Sequence, residues 1–94
     1  MDAATLRRVQ LASRVHRDDL VKSPYTSFGC YPRYAVTDDG GALCHKCCQT
    51  ESRSIGSTYG GDGWAVIGVE VNWEDTELYC DHCGERIESA YGAV

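Results

Sequence analysis

A small, mainly-β zinc ribbon with an N-terminal helix is the fold class that the sequence predicts, and three observations predict it. The chain has 94 residues and a net charge of −5. Only seventeen residues are Leu, Ile, Val or Phe, about 18% of the whole, so a domain this poor in aliphatics needs a staple. Two of its cysteine pairs share one spacing, Cys44-His45-Lys46-Cys47 and Cys80-Asp81-His82-Cys83. Between them runs an alternating apolar segment from Trp64 to Trp73, the strongest strand signal in the chain.

Compartment and spacing decide between disulfides and metal. The start, Met1-Asp2-Ala3-Ala4-Thr5-Leu6-Arg7-Arg8, carries no apolar stretch of a secretory signal, so the chain is expected in the reducing cytoplasm. Two residues between sulfurs allow a tight turn that aims both thiolates at one ion. Two such turns complete a tetrahedral all-sulfur site, so Cys44, Cys47, Cys80 and Cys83 are the expected ligands of one structural Zn²⁺. Rubredoxin-like iron in the same site is the redox alternative. Cys48 adjoins Cys47 and competes for the position; the matched spacing selects Cys47 and leaves Cys48 as a buried thiol. Cys30 is expected to be a small core residue. His45 and His82 sit inside the knuckles, where side chains point outward.

Charge divides the chain into a basic arm, residues 1–28, and an acidic zinc-ribbon domain, residues 29–94. Residues 1–33 hold six Lys and Arg against three Asp and Glu, net +3, while residues 34–94 hold three against eleven, net −8. A tetrathiolate zinc centre makes the body more acidic by two further units. Residues 3–20 read as a helix capped by Asp2, rich in Ala, Leu, Arg and Gln. Its apolar residues fall on two opposed arcs, Leu6, Val9, Ala12 and Leu20 against Ala4, Leu11 and Val15. Such a helix is either sandwiched between two surfaces or marginally stable alone. Arg7, Arg14 and Arg17 lie between the arcs, as a solvated face or as a docking arm for an acidic partner.

Ser23-Pro24 ends the arm. Residues 34–37 then form a short strand, Asp38-Asp39-Gly40-Gly41 a turn, and Ala42-Leu43 a returning strand that delivers Cys44. The stretch 49–63 is polar and glycine-rich and is expected to be a loop. In the segment 64–73, Ala65, Ile67, Val69, Val71 and Trp73 make one apolar face. A turn at Asn72-Trp73-Glu74-Asp75 leads back through Glu77-Leu78-Tyr79 to Cys80, and a last strand or helical turn spans residues 86–91. Two antiparallel hairpins thus meet at one ion.

Several function classes lack support in the sequence. No apolar run approaches a membrane span. His16, His45 and His82 have no evident nucleophile with an orienting carboxylate. Glu74, Asp75 and Glu77 form an acidic cluster on a turn, which reads as a solvated face rather than an acid–base pair. Gly60-Gly61-Asp62-Gly63 lacks the Lys-Ser/Thr of a phosphate loop. The expectation is a protein without enzymatic activity, either a protein-interaction module or a nucleic-acid binder. Nucleic acid requires a basic face, which only the arm supplies.

Two stretches carry a family likeness: Gly29-Cys30-Tyr31-Pro32 with Leu43-Cys44-His45-Lys46-Cys47, and Val71-Asn72-Trp73-Glu74-Asp75 through Tyr79-Cys80-Asp81-His82-Cys83 to Ile87-Glu88-Ser89-Ala90-Tyr91. Together they resemble small zinc-ribbon proteins encoded by bacteriophages and mobile elements. The likeness covers roughly residues 29–92, and nothing carries over to the arm. Members of this group are largely without assigned function, so the resemblance implies a setting, the cytoplasm of a bacterial host cell, more than an activity. In that setting an acidic body suits a positively charged groove on a host protein complex. The resulting expectation is a stoichiometric, anti-CRISPR-like inhibitor or modulator of a host nucleic-acid-handling or defence complex, with residues 72–77 as its contact surface. The alternative is a zinc-ribbon nucleic-acid-binding or transcription-regulatory protein.

Overall fold

Asp2 caps the first element, α1 (Ala3–Lys22), by accepting a hydrogen bond from the Thr5 N–H at 2.7 Å. The computed structural model describes residues 2–91; residues 1 and 92–94, the outer ends of the expected arm and body, lie outside them. Thr5's N–H also holds the Asp2 carboxyl below the usual carboxylate range. The helix stops at Ser23, whose N–H bonds to the Asp19 carbonyl at 2.9 Å, with Pro24 next in the chain.

Only one of the two apolar arcs of α1 is docked. Leu20 is fully buried and Leu6 and Val9 partly so, whereas Leu11 and Val15 are 60% and 57% exposed. The expected alternatives, a sandwiched helix or an unsupported one, both give way to one-sided docking. At the middle of the docked arc sits a polar residue, Ser13, also fully buried. Its hydroxyl lies 2.9 Å from the Ile55 carbonyl and 3.2 Å from that of Trp64, and it accepts from the Val66 N–H at 3.1 Å. Arg14 and Arg17 donate to the carbonyls of Gly56 and Ser52 at 3.1 and 2.7 Å. Helix α1 is therefore held by backbone groups of the segments beneath it as well as by apolar contact, and it shares one core with the sheet.

The sheet has three antiparallel strands in the order β2-β1-β3: β1 (Arg33–Thr37), β2 (Ala42–Leu43) and β3 (Val66–Val71). The first hairpin follows the expectation, closing through Thr37 N–H to the Gly41 carbonyl at 3.0 Å, with Gly40 at φ +84°. The expected unbroken alternation of residues 64–73 does not hold. Val36 faces Gly68 while Thr37 faces Val66, so Ile67 is an extra residue in a bulge. The slip puts Ala65 and Val66 in the core together and leaves Ile67 57% exposed. Trp73, expected on the buried face, is 50% exposed.

Helix outweighs strand in the described residues, so the expected mainly-β balance is corrected. Part of residues 49–63, read as a loop, forms the end of α2 (His45–Thr50) and all of α3 (Ser52–Gly56). The first knuckle runs straight into helix, and α3 turns its single aliphatic, Ile55, into the core at 0% exposure. The expected second hairpin is reduced to one bridge, Tyr79 with Arg86. Residues 86–91 form neither strand nor helix; they are tied by Ile87 N–H to the Leu78 carbonyl at 2.8 Å and Ala90 N–H to that of Asn72 at 2.9 Å.

The loop between α3 and β3 is organised by one carboxylate. Asp62 accepts from the Thr58 hydroxyl at 2.6 Å, the Tyr59 N–H at 3.1 Å and the Trp64 N–H at 3.0 Å. Burial raises the Asp62 carboxyl, but these donors outweigh it and keep the group below its ordinary value of 3.8. A depressed carboxyl contributes stability that is present above its unfolded pKa and lost as pH falls through its folded one. Asp62→Ala takes the acceptor from the buried Thr58 O–H and is expected to cost about 1 kcal/mol at neutral pH. In parallel melts, the gap between the two proteins should close below that window.

Candidate metal centre

Both knuckles are delivered by the backbone. Cys44 occupies the N-cap of α2 after β2, and the first helical turn brings Cys47 back beside it. The second knuckle is a tight turn in which Gly84 N–H bonds to the Cys80 carbonyl and Cys80 N–H to that of Glu85, each at 2.9 Å, with Gly84 at φ +74°. Asp81 fastens this turn to β2: its N–H donates to the Ala42 carbonyl at 2.9 Å and its carboxylate accepts from the Ala42 N–H at 3.0 Å. Gly41 makes the approach possible, because a Cβ there would collide with that carboxylate and lie 2.9 Å from the Thr37 hydroxyl.

The sulfurs of Cys44, Cys47, Cys80 and Cys83 consequently lie within 4.8 Å of one another. Cys44 Sγ and Cys83 Sγ are 3.8 Å apart. A tetrahedron with metal–sulfur arms of 2.3 Å has edges of about 3.8 Å, so the cluster fits a metal ion of that class. The sequence-matched partner of Cys44 is thus the one gathered in. Cys48 is buried at 0% exposure outside the cluster, inside α2. Burial pushes its thiol up to about 12, which keeps it protonated at neutral pH. Cys30, expected in the core, is exposed and stands at φ +52°, because its loop turns back at that point instead of entering the sheet.

Without an ion the thiols of Cys44, Cys47 and Cys80 are unequal. Burial pushes Cys44 and Cys47 up, with the neighbouring sulfurs adding to the effect at Cys47. Burial would also raise Cys80, but the backbone N–H groups of Cys44, Cys83 and His82 directed at its sulfur bring it down to about 7. The Cys44 N–H lies 3.4 Å from that sulfur. Ion binding must therefore expel thiol protons.

Around the cluster, His82 packs edge-on against Trp64 at 5.1 Å between ring centroids, and its Nε2 lies 3.4 Å from a Glu51 carboxylate oxygen. A cleft of about 160 Å³ flanks Cys44, lined among others by Tyr25, Arg33, His45, Lys46, Arg86 and Glu88. Arg33 is paired there with Asp19 at 2.6 Å, and Glu85 also lines the cleft. Sequence reasoning missed Asp81, Gly41 and Arg33 as parts of this region. Among the described residues no helix is long and apolar enough to cross a membrane. Comparison with family models, curated proteins and solved structures found no match to this chain.

Proposed function

We propose that the four cysteines hold one structural zinc ion in a ribbon-type centre and that the protein is an interaction module for a protein partner. Four thiolates fill the tetrahedron and leave no coordination position for a substrate. The observation that carries the interaction reading is the turn after β3. Asn72 is 3% exposed; its side-chain amide donates to the carbonyls of Asp75 and Glu88 at 3.0 and 3.1 Å and accepts from the Asp75 N–H at 3.1 Å. The turn is thus pinned to the segment at Ile87 and Glu88, while Glu74, Asp75 and Glu77 are exposed and make no ion pair among the described residues. A rigid, uncompensated acidic edge suits a basic groove and speeds encounter with it. By the resemblance drawn from the sequence, that groove belongs to a host nucleic-acid-handling or defence complex, which the protein inhibits or modulates stoichiometrically.

The test is partner capture from host lysate with the zinc-loaded protein, with and without nuclease. Glu74→Lys combined with Glu77→Lys is expected to abolish the nuclease-resistant capture at an unchanged melting temperature. Asp75 stays in place because its carboxylate accepts the Glu77 N–H at 3.0 Å. Undiminished capture removes this edge as the contact surface. The nucleic-acid reading draws on the cleft shared by Arg33, Lys46 and Arg86. It gains if capture vanishes with nuclease and survives the double reversal.

A further inference from the structure

Three aromatic rings from three separate segments meet on the acidic turn. Tyr31 comes from the loop before β1, Trp73 from the turn itself and Tyr91 from the last described residue. Tyr31 lies 4.6 Å from Trp73 and 6.0 Å from Tyr91 between centroids, tilted 57° and 51°. Trp73 and Tyr91 are 6.5 Å apart with planes only 11° from parallel. These rings stand outside the core cluster, and Trp73 and Tyr91 are 50% and 55% exposed. Half-open aromatic surface of this kind is unexpected in a chain so short of apolar side chains to bury.

The rings are nonetheless held in place. The Tyr91 N–H bonds to the Trp73 carbonyl at 2.6 Å, and the two tyrosine hydroxyls are 3.2 Å apart. Tyr31 packs over Gly29, where a Cβ would come within 2.7 Å of the ring and where φ is +81°. Asn72 anchors both the turn and the segment that leads to Tyr91. Ordering costs on binding are correspondingly small, since no loop has to fold to present these faces.

Aromatic faces carry negative charge density, and Glu74 and Glu77, exposed one and four residues after Trp73, share its sign. The surface therefore selects a cation and repels phosphate-bearing strands. Between the two protein cations, a planar, weakly hydrated guanidinium stacks on a ring and still reaches a carboxylate with its donors, whereas an ammonium keeps its water. We propose that Tyr31, Trp73 and Tyr91, together with the exposed Glu74 and Glu77 of the segment that follows Trp73, form the anchor site for an arginine side chain on the basic surface of a protein partner. The inference rests on the interaction reading above and names the chemistry that its partner presents.

The experiment titrates the zinc-loaded full chain with a short alternating Arg-Gly peptide, its Lys-Gly counterpart and a short oligothymidylate, followed by calorimetry and tryptophan fluorescence. The Arg-Gly peptide is expected to bind best, Trp73→Ala to weaken it about tenfold, and Trp73→Phe to restore most of the loss. Both variants should keep a cooperative melt, Trp73→Ala a few degrees lower through its lost contact with Tyr31, because the indole stands outside the core. Equal affinity for the lysine peptide overturns the arginine assignment, and tighter binding of oligothymidylate assigns the rings to base stacking instead. Full Arg-Gly binding by Trp73→Ala, lost in the Glu74→Lys/Glu77→Lys protein, overturns the anchor while the acidic interaction edge stands. Undiminished binding by both variants overturns both.

Discussion

Stripping the metal from the loaded protein is expected to erase the near-ultraviolet signal of its tryptophans and to abolish its cooperative melt. The reason lies in what the core contains. Beside Leu20, Leu43, Ile55, Val66 and Ile87, its buried members include Cys47 and Cys80, so two of the four cluster sulfurs are also core side chains. Without an ion, those thiols are close-packed against one another. With one, the apparent binding free energy of a small structural zinc site, about 10–16 kcal/mol, becomes folding free energy. That is as large as the whole stability of a typical domain, about 5–15 kcal/mol. Trp64 reports the change directly because it packs on His82, inside the second knuckle. Cys80→Ser should reproduce the chelated state, whereas Cys30→Ser, exposed on its loop, should leave spectrum and melt unchanged. A chelated protein that keeps its near-ultraviolet spectrum and melting temperature refutes a metal-dependent fold. Metal analysis of the purified protein, together with its colour, separates zinc from iron.

The cluster was legible in the sequence because a knuckle is local: two intervening residues bring two sulfurs together, whatever the surrounding fold. The choice of Cys47 over Cys48 followed from the same spacing, and inside α2 the two adjacent side chains do point to different surroundings. What stayed hidden depends on contacts distant in sequence. Residues 49–56 have a loop-like composition, and they become helix where Ile55 finds the underside of α1 and Arg14 and Arg17 take the carbonyls of α3. The bulge at Ile67 is set by pairing with Val36 and Thr37, three decades of residues upstream, so alternation within the strand alone misassigned its faces. In sequence Asn72 reads as part of a turn, without the role its buried amide plays there. Its amide also reaches the carbonyls of Ile87 and Glu88, which only the folded chain brings to it.

Ser13→Ala is expected to cost about 2 kcal/mol, close to a 10 °C fall in melting temperature for a chain of this size. The substitution changes little volume, so the loss is not a cavity. It removes the acceptor of the Val66 N–H at the buried start of β3 and the donor shared by the carbonyls of Ile55 and Trp64. A buried backbone donor left without a partner carries the full cost of its desolvation, which exceeds the net worth of an ordinary hydrogen bond. Helical periodicity alone marks Ser13 as an error in the apolar arc of Leu6, Val9 and Leu20. The structure makes it the point at which one hydroxyl ties α1 to both α3 and β3. Leu11→Ala is the matched control: it deletes far more apolar surface, but from the exposed arc, and its stability should change by less than about 0.5 kcal/mol. If the order of the two effects is reversed, α1 docks through its other face and the hydroxyl is not what holds it.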